Sequence, residues 1–428
     1  MVLLDVLATL AIAVTAFYLL FAIIHLVVIG VGAVELRRRS GTNPSKTPSP
    51  ITVAIPAYNE QQTAVEAVSA VLNQSYPVSV VFIDDGSSDR TFEAVSGAFD
   101  LNPLTVTDQP ADVERFEAQD EPVTVIRQEN RGKSAALNRA LEVCETPLFG
   151  VVDADTIIEP ETLPKLLAPF DNDETVACEG SFRVGTPAGS DDESHLPASW
   201  VERNQAIEHL RALILRQLGR ARADLMVHVF GGYSAFRTEL VRAVGGFAPV
   251  ETEDFNLALA LRRHCRETGR QCRFVHVPDA VAWTQVPPTP RAVADQRERW
   301  VRGTVQTVQN HGRVFGNPRY GRVGVLGVPY FLLGEVGWPM VEGVGYLVVP
   351  AAWLLGAVPP IVPIAFFAGL LAAGPIASVF AVLATRGTDV GYDSTDRRTL
   401  LKTAAGDRLW RPVQVSIGSY SVVDYLRR

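Results

Sequence analysis

The chain has 428 residues, 39 Lys and Arg against 47 Asp and Glu, and a formal net charge of −8. That length calls for two or three structural units, and 47% apolar beside 20% charged residues excludes a disordered chain and a small disulfide scaffold. With no basic excess to neutralise phosphates, nucleic acid is excluded as the expected partner.

A mean hydropathy of +0.13 beside ordinary charge content implies that the apolar residues are concentrated. The first concentration runs from Val6 to Val34 without a formally charged residue. It exceeds the ~20 residues a helix needs to cross a bilayer. A cleaved leader is a poor fit, because the run is too long and Asp5, with no basic residue, precedes it. His25 inside it reads as a packing or interfacial residue. Arg37, Arg38 and Arg39 follow, so the N-terminus is expected outside and the next segment in the cytoplasm. Residues 1–36 are thus read as a transmembrane helix, and 37–50 as a basic, Pro/Ser-rich linker.

Residues 51–310 read as one α/β domain. Short β-branched runs at 51–55, 78–83, 123–126 and 147–152 are each followed by a polar loop and mostly by an Ala-rich amphipathic stretch. This is the pattern of βαβ units in a mainly parallel sheet. Asp108–Glu121 and Thr186–Ser199 are expected to be surface loops. Cys144, Cys178, Cys265 and Cys272 include no Cys-x-x-Cys pair and are read as buried free thiols, with a disulfide or zinc site as the lesser reading. Apolar character returns after Val323. Residues 311–335 are expected to form an interfacial segment, and 336–385 two transmembrane helices. The basic tail 386–428 is expected in the cytoplasm. Glu335 and Glu342, seven apart, either border a path through the membrane region or are solvated at its surface.

Ligands of open parallel sheets sit beyond the carboxyl ends of the strands. The first strand run leads into Pro56-Ala57-Tyr58-Asn59-Glu60, the second into Asp84-Asp85-Gly86, and the run 147–152 into Asp153-Ala154-Asp155. Each alone is ordinary turn or cap chemistry. Their coincidence at successive strand ends points to one polar rim. Two carboxylates one residue apart suit Mg2+ together with substrate phosphates. No Gly-x-x-x-x-Gly-Lys-Ser/Thr loop and no Gly-x-Gly-x-x-Gly after the first strand exist, which excludes the usual ATPase and dinucleotide sites. Further on, Glu251-Thr252-Glu253-Asp254 precedes a helical run, where capping by Thr252 is the plain reading. Gln296, Arg299 and Trp300 share one helix face by their spacing.

In this order the motifs resemble glycosyltransferase family 2. They are similar to its membrane-bound processive branch, which includes the cellulose, chitin, hyaluronan and poly-N-acetylglucosamine synthases. The resemblance rests on IPAYNE (55–60), Asp84-Asp85, GKSAALN (132–138), Asp153-Ala-Asp155, Thr252-Glu253-Asp254 and Gln296-Arg-Glu-Arg-Trp300. It implies a Rossmann-like GT-A fold and an inverting, metal-dependent transfer from a UDP-sugar. It further implies that Pro56, Tyr58, Glu60 and Asp84 line the nucleoside pocket, with Asp85 and Lys133 supporting it and the diphosphate. Asp153 would face the ribose and diphosphate, and Asp155 would hold Mg2+ or Mn2+ with Asp153. Asp254 would be the general base. Glu253, Gln296 and Trp300 would close the site around the acceptor, with Arg299 near the diphosphate. The implied partners are a UDP-sugar, a glycan or glycolipid acceptor and membrane lipid. The implied location is the cell membrane, with the catalytic domain cytoplasmic. The product is either a β-linked polysaccharide or a single sugar added to a lipid carrier. The sequence departs from the family pattern at Gln285, where relatives often have Glu. Three spans are few for a lone export channel, so a homodimer or a partner membrane subunit is a further expectation.

Overall fold

A computed structural model describes residues 2–39, 41–44, 48–104, 113–186 and 195–427. Parts of the linker (40 and 45–47) and of the two expected loops (105–112 and 187–194) lie outside the described residues.

The domain is built on one twisted sheet whose strands are β1 (Ile51–Ala57), β2 (Val78–Asp85), β3 (Leu101–Pro103), β4 (Val113–Ala118), β5 (Val123–Gln128), β6 (Leu148–Val152), β7 (Ile157–Ile158), β8 (Thr175–Val184), β9 (Tyr233–Arg237) and β10 (Arg273–Thr284). Their order is β3-β4-β5-β2-β1-β6-β9-β8-β10-β7. The four strand runs expected from sequence form the central parallel block β5-β2-β1-β6. Beyond it, β9 runs antiparallel to both β6 and β8, while β8 and β10 are parallel to each other.

Period-two alternation explains the layering. In β2, Val80 and Phe82 enter one core with Val68 and Val71 from the helix Ala64–Leu72. Val81 and Ile83 enter the other with Leu137 and Ala140 from the helix Lys133–Val143. Both faces are therefore covered, as a parallel block requires.

Two expectations are corrected. The insert around Asp108–Glu121 is not simply a loop, because residues 113–118 form β4, antiparallel to β5. Val113 is buried, Arg115, Phe116 and Ala118 are half-buried, and Glu114 and Glu117 are exposed, which hides a strand inside an acidic composition. Cys265 and Cys272 are not free thiols but form a disulfide between the end of the helix Glu253–Thr268 and the start of β10. Cys144 and Cys178 are buried and free.

Among the described residues, three helices are long and apolar enough to cross a membrane, Val2–Arg38, Val323–Leu354 and Ile361–Ala384. The stretch read as interfacial is partly continuous with the second of these, which contains π turns at Val323–Gly327 and Leu333–Gly337. Tyr18 packs edge-on against both Trp338 and Phe366, joining the three helices. Leu20, Ile23, Val27, Leu347, Ile364 and Leu371 face outward and are exposed. In water they would forgo roughly 1.5–3 kcal/mol each, a cost that hydrocarbon surroundings remove.

The N-terminal helix also crosses a helical rod over 200–222. A Cβ at Gly32 would overlap the Leu215 carbonyl oxygen, so only glycine permits this crossing. The C-terminal helix Asp407–Arg427 is not a free tail. Ser419 Oγ donates to Pro339 O (3.2 Å), and Arg411 pairs with the fully buried Glu342 (2.6 Å).

Candidate active site

The parallel block brings three acidic strand ends to one rim, since Ala57 at the end of β1 is in register with Asp84 of β2 and β6 pairs on the other side of β1. Asn59, at φ 61°, bends the chain after β1 and stitches it to the neighbouring loop. Its backbone N–H donates to Ser87 Oγ (2.9 Å), and its Oδ1 accepts from Ser88 N (2.8 Å). Glu60 N donates to Thr91 Oγ1 (2.8 Å), and burial raises the Glu60 carboxyl above its usual range.

Asp84 and Asp85 are both buried but do different work. Asp85 accepts from Gln128 Nε2 (2.7 Å), Arg131 N (3.0 Å) and Gly132 N (2.8 Å). It thereby fixes the turn that starts the helix Lys133–Val143 and aims Lys133. Asp84 Oδ1 accepts from Ser87 N (3.0 Å), and its Oδ2 has Arg127 Nε at 3.7 Å but no hydrogen bond among the described residues.

Lys133 Nζ lies 2.6 Å from Asp153 Oδ1 and 3.2 Å from Glu253 Oε1. Burial pulls the Lys133 ammonium down, but Asp153 and Glu253 outweigh it and hold its pKa above the usual lysine range. Asp153 N is held by Gly232 O (3.1 Å). Asp155 is pushed up to about 7 by burial, then by Asp153 and Glu60.

Asp254 stands in the first turn of the helix Glu253–Thr268 and accepts from Gly231 N (3.0 Å) and Phe255 N (2.7 Å). Burial and the neighbouring Glu253 carboxylate nonetheless push it up to about 7. Thr252, expected as a cap, makes no side-chain capping bond. Gly231 and Gly232 thread between the acids. A Cβ at Gly232 would lie 2.9 Å from Asp153 Oδ2, and one at Gly231 would lie 3.2 Å from Glu253 Oε1. Any side chain there would crowd the carboxylates.

A cavity of about 580 Å³ takes in Lys133, Asp153, Asp155, Glu253, Asp254, Gln285, Gln296, Arg299 and Trp300. The shared face of Gln296, Arg299 and Trp300, on the helix Pro290–Asn310, does turn toward the acids. Pro56, Tyr58, Glu60, Asp84 and Asp85 do not line this cavity and occupy the adjoining strand ends. The same cavity continues to residues of the membrane helices, including Tyr18, Glu335 and Leu370.

Several contacts at the site carried no sequence signal. Arg297 lies over the Trp300 ring (4.3 Å) and pairs with Glu208 (2.8 Å), which also accepts from Gln414 Nε2 (3.1 Å). Glu179, fully buried, accepts from Phe230 N (2.8 Å) and His276 Nδ1 (2.9 Å), steadying the loop that carries Gly231. Glu335 pairs with Arg216 (2.9 Å) and Glu342 with Arg411, so the two glutamates serve different partners. Of these, Arg297 lies inside the Gln296–Trp300 motif, whereas Glu179, Glu208 and the Gly231-Gly232 pair were not marked by any motif.

The Glycosyl transferase family 2 profile matches residues 52–245. The chain carries a glycosyltransferase family 2 domain. It is 27% identical over 266 residues to "Probable glycosyltransferase YdaM" of Bacillus subtilis (strain 168), covering 60% of this chain and 56% of that one. It is 26% identical over 256 residues to a poly-beta-1,6-N-acetyl-D-glucosamine synthase of Staphylococcus aureus (strain COL), covering 59% and 54%. The matched region thus spans about half the length of these curated relatives. A solved structure, the mannosyltransferase PcManGT from Pyrobaculum calidifontis in complex with GDP-Man and Mn2+, superposes with a TM-score of 0.60. It covers 98% of each chain at 20% identity. That likeness shows the GT-A fold of this glycosyltransferase family 2 domain.

Asp153 and Asp155 form a donor set that fits a divalent cation. They are hard oxygen ligands one residue apart, and among the described residues no cluster of three His, Cys, Asp or Glu completes a protein-only cage. Burial raises Asp155 first and the neighbouring Asp153 and Glu60 carboxylates add to it, and a cation would offset that negative charge. The remaining ligands would come from a diphosphate and water.

Proposed function

We propose that this chain transfers a sugar, with inversion, from a UDP-sugar to a membrane-held acceptor. The observation that carries this reading is the single cavity containing Lys133, Asp153, Asp155 and Asp254 at one end and membrane-helix residues at the other. Asp84 Oδ2, buried and without a hydrogen bond among the described residues, is a ready acceptor for a uracil N–H. Lys133, kept charged by Asp153 and Glu253, and Arg299 at the cavity wall would bind the diphosphate. Asp153 and Asp155 would hold Mg2+ or Mn2+, which when bound offsets charge on the leaving diphosphate.

Asp254 supplies the base. A sugar hydroxyl is a weak nucleophile until a carboxylate within hydrogen-bond reach takes its proton. The acceptor oxygen bonds to the anomeric carbon, the bond from that carbon to the diphosphate oxygen breaks, and the hydroxyl proton passes to Asp254. With one base and no enzyme nucleophile, the displacement is single and inverts the anomeric centre. Gln296, Arg299 and Trp300 along one wall favour a retained glycan chain, hence processive synthesis of a β-linked polysaccharide. The extension of the cavity to the membrane helices favours a second reading, one sugar added to a lipid carrier or glycolipid.

The test is transfer from a panel of radiolabelled UDP-sugars and GDP-mannose by the full chain in vesicles, with product length resolved on gels. A ladder supports the polymerase and a single addition the lipid transferase. Turnover with GDP-mannose and none with any UDP-sugar overturns the donor assignment. Near wild-type transfer by Asp254→Asn, in protein that still binds nucleotide, overturns the base.

A further inference from the structure

We propose that the membrane half of the cavity binds a phosphate-bearing lipid, its headgroup between Arg211 and Arg216 and its tail between the N-terminal helix and the helix Ile361–Ala384. This rests on the reading of the catalytic end given above, and identifies what holds the acceptor there.

The helical rod over 200–222 is interrupted by a π stretch, His209–Leu215. In a regular α-helix, residues five apart diverge by about 140° around the axis. Here Arg216 N donates to Arg211 O, an i to i+5 bond, which turns the two side chains onto one face. Both arginines line the cavity. A π turn is rare and its hydrogen bonding is costly to maintain, so its coincidence with two arginines on a cavity wall points to a ligand.

The surroundings add charge complementarity. Arg211, Arg216, Arg297 and Arg411 line the cavity together with Glu208 and Glu335. Glu208 reports the resulting field. Burial would raise its carboxyl, yet Arg297, Arg211, His209 and Arg216 together hold it below the usual range. Arg216 Nη2 is paired with Glu335 (2.9 Å), while its Nε is buried without a hydrogen bond among the described residues. Arg211 Nη1 donates to Ser378 Oγ (3.0 Å) on the membrane helix Ile361–Ala384, which sets its guanidinium at the boundary with that helix. Planar guanidinium forks suit phosphate oxygens.

Past the arginines the wall turns apolar, with Ala22 and Leu26 of the N-terminal helix facing Leu370, Ala373 and Ala377 of the helix Ile361–Ala384. Ala22, Ala373 and Ala377 present only methyl groups to this part of the wall, where an alkyl tail would lie. Acids at one end, arginines in the middle and an apolar slot in the membrane match a lipid with an anionic link between tail and sugar. A neutral glycolipid would leave the arginines without a role in binding.

The experiment uses the full chain in maltoside detergent, with binding of radiolabelled hexadecyl phosphate measured against hexadecyl glucoside and inorganic phosphate. UDP binding is read separately in each sample. The expected result is at least tenfold preference for hexadecyl phosphate over the glucoside, with no competition by inorganic phosphate at equal concentration. Arg211→Gln and Arg216→Gln should each lose about tenfold in hexadecyl phosphate binding, Arg211→Lys should lose less, and UDP binding should persist. Because Arg216→Gln also disturbs Glu335, Ala373→Phe provides a test that leaves both arginines in place and should weaken both lipids. Equal binding of the two lipids, competition by inorganic phosphate, or unchanged binding in Arg211→Gln and Ala373→Phe would overturn the proposal. A wild-type chain that binds hexadecyl phosphate but no nucleotide would instead overturn the donor reading.

Discussion

Lys133 Nζ stands 2.6 Å from Asp153 Oδ1, so the first residue of one helix is tied to the end of β6 across the floor of the candidate site. The same ammonium reaches Glu253, beside the proposed base. One cation thus links the proposed donor and acceptor sides. Removing it in Lys133→Met deletes a charge-assisted contact worth roughly 1.5–3 kcal/mol. The expected outcome is a UDP affinity lower by about tenfold to a hundredfold, measured by calorimetric titration, with the fold retained by circular dichroism.

Asp254 should set the acid limb of the rate profile. A base works only when deprotonated, and this one titrates at about 7. The ratio kcat/KM should therefore fall about tenfold per pH unit below that value and level off above it. Asp254→Asn should lower transfer by about 10²- to 10⁴-fold while UDP binding remains. A profile flat from pH 5 to 8 would exclude Asp254 from this role.

The same group gives a stability prediction of opposite sense. Its folded value of about 7 lies above the ordinary 3.8, so the folded state favours the proton. Stability from this group is full below about 4 and is lost as pH rises through about 7. Asp254→Asn cannot ionise and should escape that loss. Its Tm should match the wild type near pH 4 and exceed it by a few degrees at pH 8, as read by thermal unfolding.

Glu342 is fully buried on a candidate membrane helix and is joined to Arg411 through both carboxylate oxygens. Tyr346 OH donates to it as well (2.9 Å). Arg411→Ala leaves an uncompensated buried carboxylate and should cost about 3–5 kcal/mol. The double variant Arg411→Leu with Glu342→Leu should recover most of that loss. The check is the thermal midpoint in detergent for both.

Removing divalent cations with a chelator should abolish transfer and weaken UDP binding, and restoring Mg2+ or Mn2+ should recover both. Asp155→Asn should need a higher cation concentration for half-maximal activity, whereas Gln296→Ala should not. A chain that transfers at full rate in excess chelator would rule out the roles given to Asp153 and Asp155.

The sequence alone determined what is periodic or local. The β-branched runs at 51–55, 78–83, 123–126 and 147–152 became the central strands, because alternating burial is written residue by residue. Three apolar stretches became three long apolar helices, because hydrocarbon thickness demands uninterrupted length. The acids after β1, β2 and β6 were predictable as a group, since parallel strands must present their carboxyl ends together. What depends on partners far along the chain was decided only by the tertiary structure. The antiparallel β9, the strand β4 within an acidic segment and the Cys265–Cys272 disulfide all required knowing what lies opposite. Glu335 and Glu342, seven apart, looked like one feature, yet their partners Arg216 and Arg411 come from different helices. The π turn that aligns Arg211 with Arg216 had no sequence mark, because a five-residue spacing predicts opposite faces until the hydrogen-bond register changes. Periodicity specifies which face a residue takes on its own element, and packing alone specifies what that face meets.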